Sequence, residues 1–303
     1  MRMLTIVLFV SVAAWGQRNG IDGPTPGYVF DSAAREVRPM RGMAGSAHLG
    51  AAVIAEAEAA SVSLDGSLAA ASRLGAIEVV RNFDSTAPVR VELSREPGAV
   101  RFAWAGHDLA VVFTETRRAF IWRGLDMKAD DVTAVDISTL DGEIATLAFD
   151  GERLVISANG GLYLANKEGT RKLIALDDPS ALLLAGPALF AADRGRGQVL
   201  LVRDYAGEAT AEVFADVAEP VGLQLTKRGL LVASAGARSV DTFDILSKAR
   251  TATVALDFLP TRLEALGAGS LALLNEGSAS EPLFVFDSKD SLQVYFVPAG
   301  REQ

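Results

Sequence analysis

Arginine and acid are sorted between two kinds of polar loop in this 303-residue chain. Loops of one kind carry Arg73, Arg117, Arg118, Arg194, Arg196 and Arg238, against Glu115, Asp193, Glu276 and Glu281. Loops of the other kind carry Glu96, Asp141, Glu143, Asp177, Asp178, Asp216, Glu219 and Asp257, against Arg95 and Arg262. A guanidinium is a planar fork of donors that meets a carboxylate or phosphate two bonds at a time. Arg73, Arg117, Arg194, Arg196 and Arg238 are therefore the candidate binding residues, for an anionic ligand or a protein that presents carboxylates. The plainer account is a wet rim whose surface ion pairs contribute little. The acidic loops raise calcium, which takes roughly six to eight oxygens. Asp141, Asp177 and Asp178 are the weak metal candidates. No Asp-x-Asp-x-Asp spacing is present, and solvated turns fit these residues better. No cofactor is assigned, and calcium stays open.

Reactive side chains are scarce. The sequence has no Cys, which excludes a thiol nucleophile, thiolate metal sites and disulfides. Its two histidines, His48 and His107, leave little room for a multi-histidine metal site. A Ser-His-Asp site needs a histidine held against a nucleophile. His107 falls in the tight turn Ala105-Gly106-His107-Asp108 and His48 in a Gly/Ala-rich link, so both read as solvated loop histidines. Paired carboxylates for glycoside chemistry stay open, yet nothing in the sequence selects a pair. No catalytic residue is assigned. The 29 Lys+Arg against 38 Asp+Glu give a net charge of −9, the opposite of the basic footprint that a nucleic-acid binder needs.

A repeat must position these loops. Six segments share an apolar strand, a tight polar or Gly turn, and a strand that opens with Leu. Arg101-Phe-Ala-Trp-Ala-Gly-His-Asp-Leu109 and Thr146-Leu-Ala-Phe-Asp-Gly-Glu-Arg-Leu154 show the form. The opening leucines are Leu68, Leu109, Leu154, Leu189, Leu230 and Leu271, spaced by 41, 45, 35, 41 and 41 residues. Each unit continues through a polar loop, a third strand, a turn and, in most, a fourth strand. A proline often precedes the next unit, as at Pro97, Pro179, Pro220 and Pro260. Trp104 and Trp122, in the first and third strands of one unit, read as packing between sheets.

This pattern resembles the propeller repeat proteins, a broad group near the WD40, NHL and surface-layer YVTN types, over about residues 59–298. The resemblance implies an all-β fold, a β-propeller of four-stranded blades. It carries over no functional residue, because no unit ends in Trp-Asp and no Tyr-Val-Thr-Asn occurs. The physics agrees with the fold. One such sheet cannot bury both faces alone, whereas a ring of them can, and closure removes most open edges. Leu68-Ala69-Ala70-Ala71 and Leu271-Ala272-Leu273-Leu274 suit strands buried on both sides. The resemblance also implies that both kinds of polar loop share one face, around the mouth of a central channel. Six complete units favour six blades, and an extra amino-terminal hairpin keeps seven open.

Residues 1–16 are expected to be a signal peptide, with Arg2 before an apolar run over residues 4–14 and small residues at Ala14 and Gly16. The run falls short of the roughly 20 residues a span needs, and no later run reaches that length. Residues 17–57 are expected to form an amino-terminal hairpin and link that joins the closing blade, and residues 58–303 the propeller repeats. The hairpin reads Tyr28-Val-Phe-Asp31 then Arg35-Glu-Val-Arg-Pro39, echoing Phe284-Val-Phe-Asp287. The function that fits is a secreted or periplasmic binding or scaffold protein. It would use the loop face around its channel for a protein or anionic ligand, with no nucleic acid and no membrane span in the mature chain. The alternative is a lactonase-like, metal-dependent propeller hydrolase that uses channel carboxylates.

Overall fold

The structure is a computed structural model and describes residues 23–43, 45–276 and 281–298. The expected signal peptide, residues 1–16, lies outside the described residues.

Blade 5 shows how the sequence builds one unit. Its four antiparallel strands run Pro179–Ala185, Ala188–Asp193, Gln198–Arg203 and Thr210–Asp216, in chain order across the sheet. Ala185 pairs with Ala188 across a two-residue turn. Gly186, at φ 61°, supplies the left-handed first position that such hairpins require, and Pro187 fixes the second. The second strand is apolar throughout because both of its faces are covered. Leu189 and Ala191 pack toward blade 4, while Phe190 and Ala192 pack toward blade 6. The outer strand of blade 6, Arg250–Ala255, alternates between exposed and half-buried positions instead, as a strand with one wet face should.

Six sheets have this four-stranded order. Their first strands are Ala59–Val62, Val100–Ala105, Ile144–Phe149, Pro179–Ala185, Pro220–Thr226 and Glu264–Ala265. Each of the first five touches the first strand of the next sheet, so these strands surround the axis. The sheets are blades 2 to 7. A seventh sheet precedes them, with strands Gly27–Asp31, Glu36–Arg41 and His48–Leu49. The blade count is therefore seven, and the expectation of six is corrected. The amino-terminal hairpin pairs within this sheet and through a bridge from Val37 to Ile54. Blade 7 draws its strands from Glu264–Val297 alone, so the hairpin adds nothing to it. The repeat missed blade 1 because this blade has no leucine-opened second strand and only three strands.

Seven apolar clusters fill the seven seams between neighbouring blades. Trp104 and Trp122 both belong to the cluster between blades 2 and 3. Close approach is set by small residues: Ala69, Ala70 and Ala71 are all fully buried in blade 2. Six of the seams are also stitched by polar bonds. Arginine often does this, reaching a backbone carbonyl of the next blade: Arg81 Nε to Leu125 at 2.6 Å, Arg101 Nε to Ile144 at 2.8 Å, Arg171 Nη2 to Tyr205 at 3.2 Å and Arg228 Nε to Ser288 at 3.1 Å. Ser180 reaches Pro220 O between blades 5 and 6, and Arg41 holds Asp84 at 2.7 Å between blades 1 and 2. Among the described residues, no hydrogen bond or ion pair crosses from blade 7 to blade 1. That seam closes on Val29, Met40, Leu266, Leu273 and Val285.

Blade 1 runs against the pattern. In blades 2 to 7 the first strand starts on the upper face, where the arginine and acid loops gather. Gly27 instead starts on the lower face. A Cβ at Gly27 would strike Leu266 of the lower turn of blade 7, and one at Gly267 would strike Pro26 O. Gly27–Asp31 thus climbs in the direction of a second strand, and among the described residues blade 1 has no first strand.

Candidate functional site at the channel mouth

The two loop sets do meet on the upper face, and there most of the arginines find acids. Arg194 Nε donates to Asp178 Oδ2 at 2.6 Å, and Arg196 Nη2 to Asp177 Oδ1 at 2.8 Å. The Arg196 bond holds the Asp177 carboxyl below its ordinary range. Arg73 pairs with Glu56 at 2.9 Å. Arg117 donates to Gly142 O, and its Nη1 is buried without a partner. Arg238 is exposed at φ 48°, with no side-chain partner among the described residues. The five candidates therefore do not converge. Three of them act as staples between a loop inside a blade and the link that enters that blade.

The weak metal candidates do not gather either. Arg196 and Arg194 occupy Asp177 and Asp178, while Asp141 stands exposed on the loop between blades 3 and 4. Among the described residues, no three His, Asp or Glu side chains are placed to hold one metal ion. Beneath the arginine staples lies Asp193, which is 0% exposed. Its Oδ2 accepts Asp177 N at 3.0 Å, and its Oδ1 accepts Asp178 N at 3.1 Å and Arg196 N at 3.2 Å. This carboxylate ties the entering link to the turn after the second strand.

The channel has its own chemistry. Its upper part is a cavity of about 510 Å³ lined by first strands and by Tyr28 and Phe30 of blade 1. The wall is of mixed polarity: Ala60, Phe102 and Leu147 are apolar, while Ser61 and Thr146 carry hydroxyls. Two arginines interrupt it. Arg262 gives Nε to Asn275 O at 2.8 Å and Nη1 to Glu264 at 2.6 Å. Arg101 spends only Nε, on Ile144 O. It is exposed, and its two terminal nitrogens have no partner among the described residues. Arg101 also lines an adjoining recess of about 410 Å³ with Arg117 and Glu143. An uncommitted guanidinium in a cavity of mixed polarity is a docking point for an anionic group.

Arg101 lies within the strand Val100–Ala105 and so outside the polar loops that hold the sequence-predicted arginines. A signal was present. Eight residues before the opening leucines stand Ala60, Arg101, Thr146, Ala181, Gly222 and Leu263. Arg101 is the single charge at this repeat position.

The lower end of the channel opens into a second cavity, of about 520 Å³, that reaches Asp65 and Trp104. His107 bridges two carboxylates there, with Nε2 3.0 Å from Asp65 and Nδ1 3.3 Å from Asp126. The Asp65 bond raises the His107 pKa despite slight desolvation. Desolvation pushes Asp65 up, but bonds from Ser63, Ser67 and His107 outweigh it and hold that carboxyl well below the usual range. Both ring nitrogens face acids, and the hydroxyls of Ser63 and Ser67 bond Asp65 rather than the ring. His107 is thus an exposed clamp between blades 2 and 3, without the geometry of a Ser-His-Asp site. A third cleft, of about 710 Å³, spans blades 3 to 5 on the lower face. Burial, then its 2.9 Å bond to Asp150, pushes Tyr205 in that cleft up to about 12.

No helix among the described residues is long and apolar enough to cross a membrane. No family model and no curated protein matches the chain. Solved structures do match. The chain is similar to the Cps50 (Swd1) β-propeller domain of Myceliophteria thermophila, at 12% identity and TM-score 0.59, over 82% of this chain and 87% of that one. It is similar to a catalytically inactive virginiamycin B lyase from Staphylococcus aureus with quinupristin, at 14% identity and TM-score 0.58, over 78% and 82%. It is also similar to apo AztD from Citrobacter koseri, at 12% identity and TM-score 0.52, over 89% and 94%. At these identities the likeness carries the fold alone, and the fold is a β-propeller.

Proposed function

We propose that the chain is an extracytoplasmic binding protein that takes an anionic group of a ligand or partner protein at the upper mouth of its channel. One observation carries this reading: Arg101 presents to the channel cavity two guanidinium nitrogens that have no partner among the described residues, while neighbouring Arg117 and Arg262 bond carbonyls or an acid. The leader-like residues 1–16 support the location. The hydrolase alternative asks for converging carboxylates. The upper channel wall brings one, Glu264, and Arg262 holds it.

The test is a library of short acidic peptides screened by fluorescence polarisation against the native chain and Arg101→Glu. Binding should fall at least about tenfold on charge reversal, since a charge-assisted bond is lost and a repulsion replaces it. Equal binding to both chains would overturn the reading. Fusion of residues 1–16 to a reporter tests the location, and a reporter retained in the cytoplasm would remove that part.

A further inference from the structure

We infer that the channel takes an extended peptide as the missing first strand of blade 1, with an acidic residue near its amino end. The inference rests on the proposed binding role and specifies its partner. An inner strand with a free edge is ordinary in this ring, so the free edge alone says nothing. Blade 1 differs from blade 5 in a more specific way.

Gly27–Asp31 runs as a second strand and ends, like the second strand of blade 5, in a buried aspartate. Asp31 is 1% exposed and Asp193 0%. Both cap the turn that follows. Asp31 Oδ1 accepts Ala33 N at 3.0 Å and Ala34 N at 2.9 Å, as Asp193 Oδ1 accepts Arg196 N. The other oxygen differs. Asp193 Oδ2 receives Asp177 N from the link entering the first strand, whereas Asp31 Oδ2 is buried with no partner among the described residues. A buried acceptor without a donor is costly. The donor that blade 5 supplies comes from the residues leading into the first strand, which blade 1 lacks among the described residues.

The edge itself is ready for pairing. Pro39 O accepts Gly50 N and Val37 bonds Val53 and Ile54, so both residues direct their backbone groups away from the first strand. Their cross-strand partners are Tyr28 and Phe30. In an antiparallel ladder such non-bonded partners point their own N–H and C=O groups outward, which here means toward the channel. Tyr28 and Phe30 have no other backbone partner among the described residues, and both line the cavity that holds Arg101. A strand added there would run antiparallel to Gly27–Asp31. Its amino end would lie on the upper face, where its N–H meets Asp31 Oδ2 and an acidic side chain meets Arg101. Small residues fit the rest, as in Ala59–Val62 of the adjoining blade. The mode is strand addition, with backbone bonds giving affinity and side chains selecting the partner.

The probe is a fluorescein-labelled synthetic peptide with the sequence of residues 58–62, Glu-Ala-Ala-Ser-Val. It is titrated into the full chain beside three controls: the same peptide N-methylated at alternate residues, the peptide with Lys for Glu, and the Asp31→Asn chain. Asn keeps the Oδ1 acceptor of the turn and replaces Oδ2 with a donor. The expected result is saturable binding, weakened about tenfold or more by N-methylation and by Asp31→Asn, with the Tyr28 and Phe30 amides slowed in hydrogen exchange. Absence of binding at millimolar peptide, or binding indifferent to N-methylation, overturns the inference. If N-methylation matters but Lys for Glu and Arg101→Glu do not, the strand stands and the anionic reading fails. If only the charge variants matter, the anionic reading stands and the strand fails. Binding that appears only after residues 299–303 are deleted assigns the edge to the chain itself and overturns a partner. Concentration-dependent dimers without peptide binding assign it to a second copy, with the same consequence.

Discussion

Blade 5 and blade 1 end their second strands in the same residue type at the same depth, yet only blade 5 uses both oxygens of it. In blade 5 the carboxylate is the knot between an entering link, a turn and the arginines above. In blade 1 it serves its own turn and leaves one oxygen idle. The contrast teaches that a buried polar residue in a repeat is best understood by the element it was shaped to receive. The lone oxygen of Asp31 marks a vacancy that strand counting alone would call a shorter blade.

Four variants break or sharpen this contrast. Asp193→Ala should have the largest effect, about 3 kcal/mol or more in urea denaturation, because three backbone donors lose their acceptor at once. Asp31→Ala should cost about 1–2 kcal/mol, since it strips two donors while removing an unpaired buried oxygen. Equal losses for the two would break the comparison. Arg194→Ala should stay within about 1 kcal/mol in the same assay, because its pair with Asp178 is half exposed and salt-screened. A larger loss would move the knot from the buried carboxylate to the staple. The smallest effect is expected at His107, which joins two complete blades. Its pKa is raised in the folded chain, so its contribution is full below its ordinary value near 6.5 and fades as pH rises through the raised value. The melting difference between native and His107→Gln chains should be measurable near pH 6 and absent near pH 9. A difference that grows with pH would contradict the clamp.

Much of the ring was legible in the sequence because its signal is local. Leu109 and Leu154 open strands covered on both faces, so an apolar run after a tight turn is a direct record of burial. The 45-residue spacing between them contains the longer link over residues 137–143. Blade 1 escaped because it repeats no marker; its hairpin resembled the last one in residues while differing in direction. The shared face of the arginine and acid loops was also legible. Which arginine meets which acid was not, since Arg196 meets Asp177 only once the register of two strands and a link is fixed. Arg101 stood in view as the first residue of a repeat and was passed over among apolar neighbours.

The seam between blades 7 and 1 has a consequence in time. Six seams are joined by side chains that must break a directional bond before they part, whereas this one is held by contact among apolar side chains. Such contact weakens on cooling and opens without a bond to break. The ring should therefore come apart at one place, as a clasp does. Amides of Val29 and Met40 should exchange with solvent before those of Leu189 and Val202. The lifetime of the whole wheel would then be set by the seam that joins its beginning to its end.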